Sequence, residues 1–216
     1  MKMSANIYIA IQPEKQKYTE GIAENVEYDE SQTPRCPKCH APIAGMKWVG
    51  NKKVSITKKP LPDFLYIYGG AALPFLVSEK AMNCLLESGI TGIEKYEPIN
   101  RFFIKKAERT LNYFNLSITR LDFPIDHEKS QINYGTVHPE QICELCNPKG
   151  CTKDFIFSLH LKNESVPECD IFHIYEMGST AFLSERFIKV VEDNKLTGLS
   201  YVDIHDFDPV ARELLP

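Results

Sequence analysis

A chain of 216 residues, 43% hydrophobic and 25% charged, is long enough for one large domain or two small ones and can bury a sizeable core. Its formal net charge of −4 argues against general nucleic-acid binding, which needs a basic face. Seven cysteines, an odd number, argue against a disulfide framework, and no apolar run approaches the ~20 residues needed to span a bilayer.

The N-terminal apolar stretch is short and soon broken by polar residues, unlike a signal peptide, so a cytoplasmic protein is expected. Residues 6–11 read as a strand, and the polar, weakly patterned residues 13–34 as a loop-rich excursion. Cys36 and Cys39 follow in a turn-rich context between Pro34 and His40. Lys52, Lys53, Lys58 and Lys59 flank a short apolar run and read as a solvated strand edge. Residues 64–68 form an apolar strand pattern, and Gly69-Gly70 is a turn signal. Ser78 is a good helix N-cap, Glu79 suits the positive end of the helix dipole, and Ala81, Met82, Leu85 and Leu86 give an apolar face. Cys84 lies inside this pattern and reads as a buried core thiol, with Gly89 as a left-handed C-cap.

A strand is expected over residues 90–96, a short helix over 105–113 and a strand over 116–121. Cys143 and Cys146 come next, in another turn-rich context that runs to Gly150. Residues 171–175 read as a strand. Ser184 and Glu185 open a second helix with Phe187, Ile188 and Val191 on its apolar face and Asn194 as C-cap, and residues 196–202 close as a strand.

Much of this order recurs. Val77-Ser78-Glu79-Lys80 matches Leu183-Ser184-Glu185-Arg186, and Ile90-Thr91-Gly92-Ile93 matches Leu196-Thr197-Gly198-Leu199. Cys36 and Cys39 match Cys143 and Cys146, and Asp63-Phe64-Leu65 matches Asp170-Ile171-Phe172. The fold expected is α+β: internally duplicated strand–helix–strand units joined by a zinc-ribbon-like four-cysteine site. It forms a single domain, 1–216, of two related halves, about 30–110 and 137–216.

Two Cys-x-x-Cys turns can complete a tetrahedral site for one structural Zn2+, with Cys36, Cys39, Cys143 and Cys146 as ligands. Other readings stay open: two thiol-redox motifs, free thiols, a local site of His138, Cys143, Cys146 and Cys151, or His40 in place of a cysteine. His138-Pro139-Glu140 before Cys143 echoes the zinc deaminase signature, but two residues leave no room for the helices that deaminases place there. No Gly-rich phosphate loop, G-x-S-x-G elbow or H-E-x-x-H helix is present, and His127, His160, His173 and His205 are scattered. No catalytic set and no small-molecule substrate is evident.

The order of features resembles the myxobacterial-type double-CxxCG-motif family, some members of which serve as immunity partners of contact-delivered toxins. The resemblance runs from Cys36 to Tyr201. It rests on the two cysteine pairs, the Pro60-Leu61-Pro62-Asp63-Phe64 approach and the Leu183-Ser184-Glu185-Arg186-Phe187 block. The glycine that the family places after each second cysteine is here His40 or Asn147. Asn tolerates the left-handed conformation and His adopts it less readily. The resemblance implies an immunity-type protein that neutralises a cognate toxin in the cytoplasm. It implies metal positions at the four cysteines and no catalytic residues. The alternative is a zinc-stapled interaction or regulatory module unrelated to toxins.

Overall fold

Short continuous apolar runs such as Phe64–Tyr68 and Ile171–Ile174 form strands with nearly every residue buried. A computed structural model describes residues 6–11, 18–45, 47–56, 60–69, 73–99, 101–104, 106–162 and 168–206. It is 48% strand and 13% helix, curled into a β half-barrel. The α+β architecture of strand–helix–strand units is therefore corrected to a mostly β fold with two short helices.

The strands in the first part of the chain are β1 (Ile7–Ile11), β2 (Gly21–Glu24), β3 (Glu27–Asp29), β4 (Lys47–Val49), β5 (Lys53–Ile56), β6 (Phe64–Tyr68) and β7 (Phe75–Ser78). Helix α1 (Glu79–Glu87) follows, then β8 (Ile93–Ile99), β9 (Arg101–Ile104) and β10 (Ala107–Arg109). The remainder holds β11 (Tyr113–Ile118), β12 (Arg120–Leu121), β13 (Gln131–Val137), β14 (Cys151–Ser158), β15 (Ile171–Ile174), β16 (Met177–Ser184), α2 (Glu185–Asp193) and β17 (Ser200–Asp203). One sheet runs β10-β9-β5-β2-β6-β7-β11-β8 and a second β12-β15-β16-β1-β17. Two hairpins, β3-β4 and β13-β14, stand apart.

Several expectations fail for identifiable reasons. Residues 13–34 contain β2 and β3, whose residues are nearly all partly or fully exposed and so carry little apolar pattern. The expected helix at 105–113 is replaced by β10 and the start of β11, reached through Lys106 at φ 67; Lys105 lies outside the described residues. Each helix is preceded by a hairpin, β6-β7 or β15-β16, rather than by one strand. Lys53 lies on β5, an interior strand, and Lys52 is buried with Glu97 at 2.8 Å, so neither is a solvated edge. Lys58, Lys59 and Gly70 lie outside the described residues. Cys84 is half-buried against the core, and Leu86 is exposed.

The helices form as their sequences dictate. Ser78 Oγ accepts from Ala81 N and Ser184 Oγ from Phe187 N, both at 3.1 Å. Ala81, Met82 and Leu85 of α1 and Phe187, Ile188 and Val191 of α2 enter one core with Phe64, Phe75, Ile171 and Leu183 from both sheets. Beyond α1, Gly89 takes the left-handed position at φ 64; beyond α2 it is Lys195, at φ 50, rather than Asn194.

Two buried carboxylates join the parts of the chain in the same way. Asp63 accepts from Ser78 Oγ at 3.1 Å and from Thr197 N and Oγ1 at 2.9 and 3.0 Å. Asp170 accepts from Ser184 Oγ at 2.8 Å and from Thr91 N and Oγ1 at 3.0 Å each. Lys80 lies 3.4 Å from Asp63, and Arg186 2.8 Å from Asp170. The glycines after the threonines, Gly92 (φ 98) and Gly198 (φ 90), press against the carbonyls of Ile171 and Phe64. A Cβ there would approach these oxygens to 2.0 and 2.5 Å, so both positions require glycine.

Candidate metal centre and adjoining groove

Each cysteine pair sits on a closed loop. In the first, His40 N donates to Cys36 O and Cys36 N to Ala41 O, both at 2.9 Å, and His40 absorbs the reversal at φ 60. The second closes one residue sooner. Asn147 N donates to Cys143 O at 2.9 Å and Cys143 N to Asn147 O at 3.0 Å, with no left-handed residue at Asn147. The left-handed turn falls instead on Gly150, at φ 65.

Both loops converge. Cys36 Sγ lies 3.8 Å from Cys143 Sγ, and Cys39 Sγ 3.5 Å from Cys146 Sγ. All four sulfurs lie within 4.8 Å of one another, a set that could hold a metal ion. Cys36 and Cys143 are buried, Cys39 is exposed and Cys146 is half-exposed, so the cluster has a wet and a dry side. His40, His138 and Cys151 are not part of the four-residue group. His138 faces Glu140, and Cys151 N donates to Asn147 Oδ1 at 3.2 Å. Lys38 and Glu144, one from each loop, form an ion pair between the loops.

The thiols do not titrate independently. Burial pushes the Cys143 thiol up, but the backbone N–H groups of Cys146 and Leu145, with the Cys39 and Cys146 thiols, outweigh it and bring it down to about 6. Burial and the neighbouring thiols push Cys146 up. One negative charge here opposes the next, and a cation bound by all four sulfurs would remove that conflict.

A groove of about 840 Å3 opens beside Cys39 and Cys146, between β14, the β15–β16 turn and the loop at Ile43. Glu176 lies below it with a side chain only 2% exposed. It accepts from Ile125 N at 2.9 Å and faces His127 Nε2 at 2.8 Å and Lys153 Nζ at 4.0 Å. His127 Nδ1 faces the Tyr134 hydroxyl. Burial pushes both His127 and Lys153 down, against the pull of Glu176. Sequence reasoning passed over this group: His127 looked like one more scattered histidine, and Glu176 hides in a tight turn.

Gly178 fixes one wall of the groove. A Cβ there would lie 1.3 Å from Ile43 O, so only glycine lets the first cysteine loop approach β16. Ile142, which lines the groove, and nearby Val137 are 55% and 58% exposed.

Among the described residues, no helix is long and apolar enough to cross a membrane. The model of the Immunity protein family (Imm11) matches residues 57–206, which include both helices and the second cysteine pair but not Cys36 and Cys39. No curated protein matches the chain.

Proposed function

The chain belongs to the Imm11 immunity protein family, and on that premise we propose that it binds and neutralises a cognate bacterial toxin in the cytoplasm, with a structural zinc ion on Cys36, Cys39, Cys143 and Cys146. The family match, which covers more than half of the chain, carries the immunity reading. The role is stoichiometric binding rather than catalysis. In keeping with it, Glu176, the buried carboxylate nearest the groove, is already engaged by a backbone N–H, an imidazole and a lysine.

Zinc is supported by the donor chemistry. An all-thiolate, four-residue set is the usual structural zinc environment, and Zn–S bonds of ~2.3 Å imply tetrahedral edges of ~3.8 Å. Two of the cross-loop sulfur separations are 3.8 and 3.5 Å, and all lie within 4.8 Å. Such an ion supplies folding free energy by joining segments that are distant in sequence. The cysteine loops shield it on one side by burial of Cys36 and Cys143 and hold the sulfurs in place through their backbone closures.

We also read the chain as a single unit of two related halves. Asp63 and Asp170 each bind the capping serine of their own half, Ser78 or Ser184, and the threonine of the other half, Thr197 or Thr91, while Gly92 and Gly198 press on Ile171 and Phe64 across the halves.

The immunity reading is tested by deleting the gene and growing the deletion strain against its parent in dense co-culture. The deletion strain should be killed, and a plasmid copy should restore survival. Equal survival of both strains across toxin-delivering conditions would defeat the reading.

A further inference from the structure

The four cysteines are not equivalent towards solvent. Cys39 is exposed and Cys146 half-exposed, whereas Cys36 and Cys143 are buried. The groove of about 840 Å3 sharpens the difference. Cys39 and Cys146 stand on its wall, and among the described residues that line it Cys36 and Cys143 do not occur. A small polar solute that enters the groove therefore reaches one sulfur from each loop.

Those two sulfurs are also neighbours. Cys39 Sγ and Cys146 Sγ lie 3.5 Å apart, in van der Waals contact. Cys36 and Cys143 form the second cross-loop contact, at 3.8 Å, on the dry side. A bond between the two sulfurs on the groove leaves the buried pair where it is. Cys151 also lines the groove, but it is buried and stands outside the group of four sulfurs that lie within 4.8 Å of one another.

We propose that Cys39 is a site of oxidation by peroxides, resolved by Cys146 into a disulfide that joins the two cysteine loops. The Cys39 thiolate attacks one peroxide oxygen, the O–O bond breaks, hydroxide leaves and Cys39 becomes a sulfenic acid. The Cys146 thiolate then attacks the Cys39 sulfur. The S–S bond forms, and the S–O bond breaks as a second hydroxide departs into the groove. Two thiolates have lost two electrons in all, and one peroxide has taken them. The two buried thiolates that remain are too few for a four-sulfur site, so the metal is released. The new link ties together residues 107 apart in sequence, and a disulfide that closes a long loop restricts the unfolded chain most. The two halves thus stay stapled when an oxidant strips the metal. The release rests on the zinc reading; the pairing rests on access and sulfur separation alone.

The full chain, reduced and then freed of reductant, is treated with excess hydrogen peroxide, alkylated, and digested without reduction by trypsin and Glu-C. Trypsin cuts after Arg35, Lys38 and Lys149 and Glu-C after Glu144, so Cys36, Cys39, Cys143, Cys146 and Cys151 fall on separate peptides. The main product expected is the Cys39 peptide linked to the Cys146 peptide, formed in step with the loss of bound zinc to a colorimetric chelator. With EDTA present, the cross-linked protein should unfold at a higher temperature than the reduced protein. A Cys36–Cys39 link, a link to Cys151, sulfinic acid at Cys39 without a link, or all four thiols intact under excess peroxide overturns the proposal. Equal unfolding temperatures overturn the staple. The Cys39–Cys146 link found in protein that carries no zinc upholds the pairing and defeats only the metal reading.

Discussion

Ile7 pairs with Ser184, and Tyr113 pairs with Ser78. Strand β1 thus lies between β16 and β17, late in the chain, while β11 lies between β7 and β8, early in the chain. The segment before the first half thus supplies a strand to the sheet that leads into α2, and the segment between the halves supplies one to the sheet that leads into α1. Split within 110–112, between β10 and β11, the two fragments should each fail to show a cooperative unfolding transition and should recover one when expressed together. A cooperative transition in the first fragment alone would show that the exchange is dispensable.

The two carboxylates at the junction offer a graded test. Asp170→Ala removes the acceptor of Thr91 and Ser184 and the partner of the half-exposed Arg186, at a cost of about 2 kcal/mol, most of it from the buried donors left unpaired. Asp63→Ala should cost less, because Lys80 is farther away at 3.4 Å and more exposed. Urea denaturation of the two variants measures the order, and the reverse order would contradict the account.

Metal analysis of the purified protein should find one zinc per chain, and Cys36→Ser should lower both metal content and Tm. The effect should be large, because structural zinc contributes on the order of 10 kcal/mol, comparable with the whole stability of a domain. Two zinc ions per chain would exclude a site shared by the two loops.

His40 holds a left-handed conformation at φ 60 on an exposed turn, where a side chain adds backbone strain and little burial. His40→Gly should therefore stabilise the metal-loaded protein, by about 1 kcal/mol. A loss of stability in thermal or chemical unfolding would show that the imidazole makes an unrecognised contribution.

Burial holds His173 down to about 4, against an ordinary value of 6.5. Between those values the unfolded chain binds a proton that the folded chain refuses, so stability falls as pH drops from about 6.5 towards 4. His173→Asn, whose amide can still donate to Thr180 O, should flatten that part of the stability–pH curve relative to the parent. Identical slopes in urea titrations across the window would exclude His173 as a contributor.

Local chemistry explains which parts of this structure were legible. Ser78 and Ser184 announce their helices because a capping oxygen, an acidic first turn and an apolar face all lie within about ten residues. The cysteine pairs were legible by spacing alone. The fold class was not. β13 and β14 have few buried positions, so their alternation is weak, and β7 was concealed by the apolar lead-in to α1. The Asp63–Thr197 and Asp170–Thr91 contacts join residues remote in sequence, and nothing local distinguishes those threonines from ordinary strand residues.

The placement of β1 also sets an order of events during synthesis. Ile7 and Ile9, both buried in the finished protein, are made long before β16 and β17, the strands on either side of them in the sheet. Until those late segments leave the ribosome, an apolar edge must remain unpaired, and long-range pairings of this kind close slowly. A ribosome that stalls after α1 would therefore release a sticky intermediate rather than a smaller working protein, and the cell's need for chaperones should be greatest during that interval.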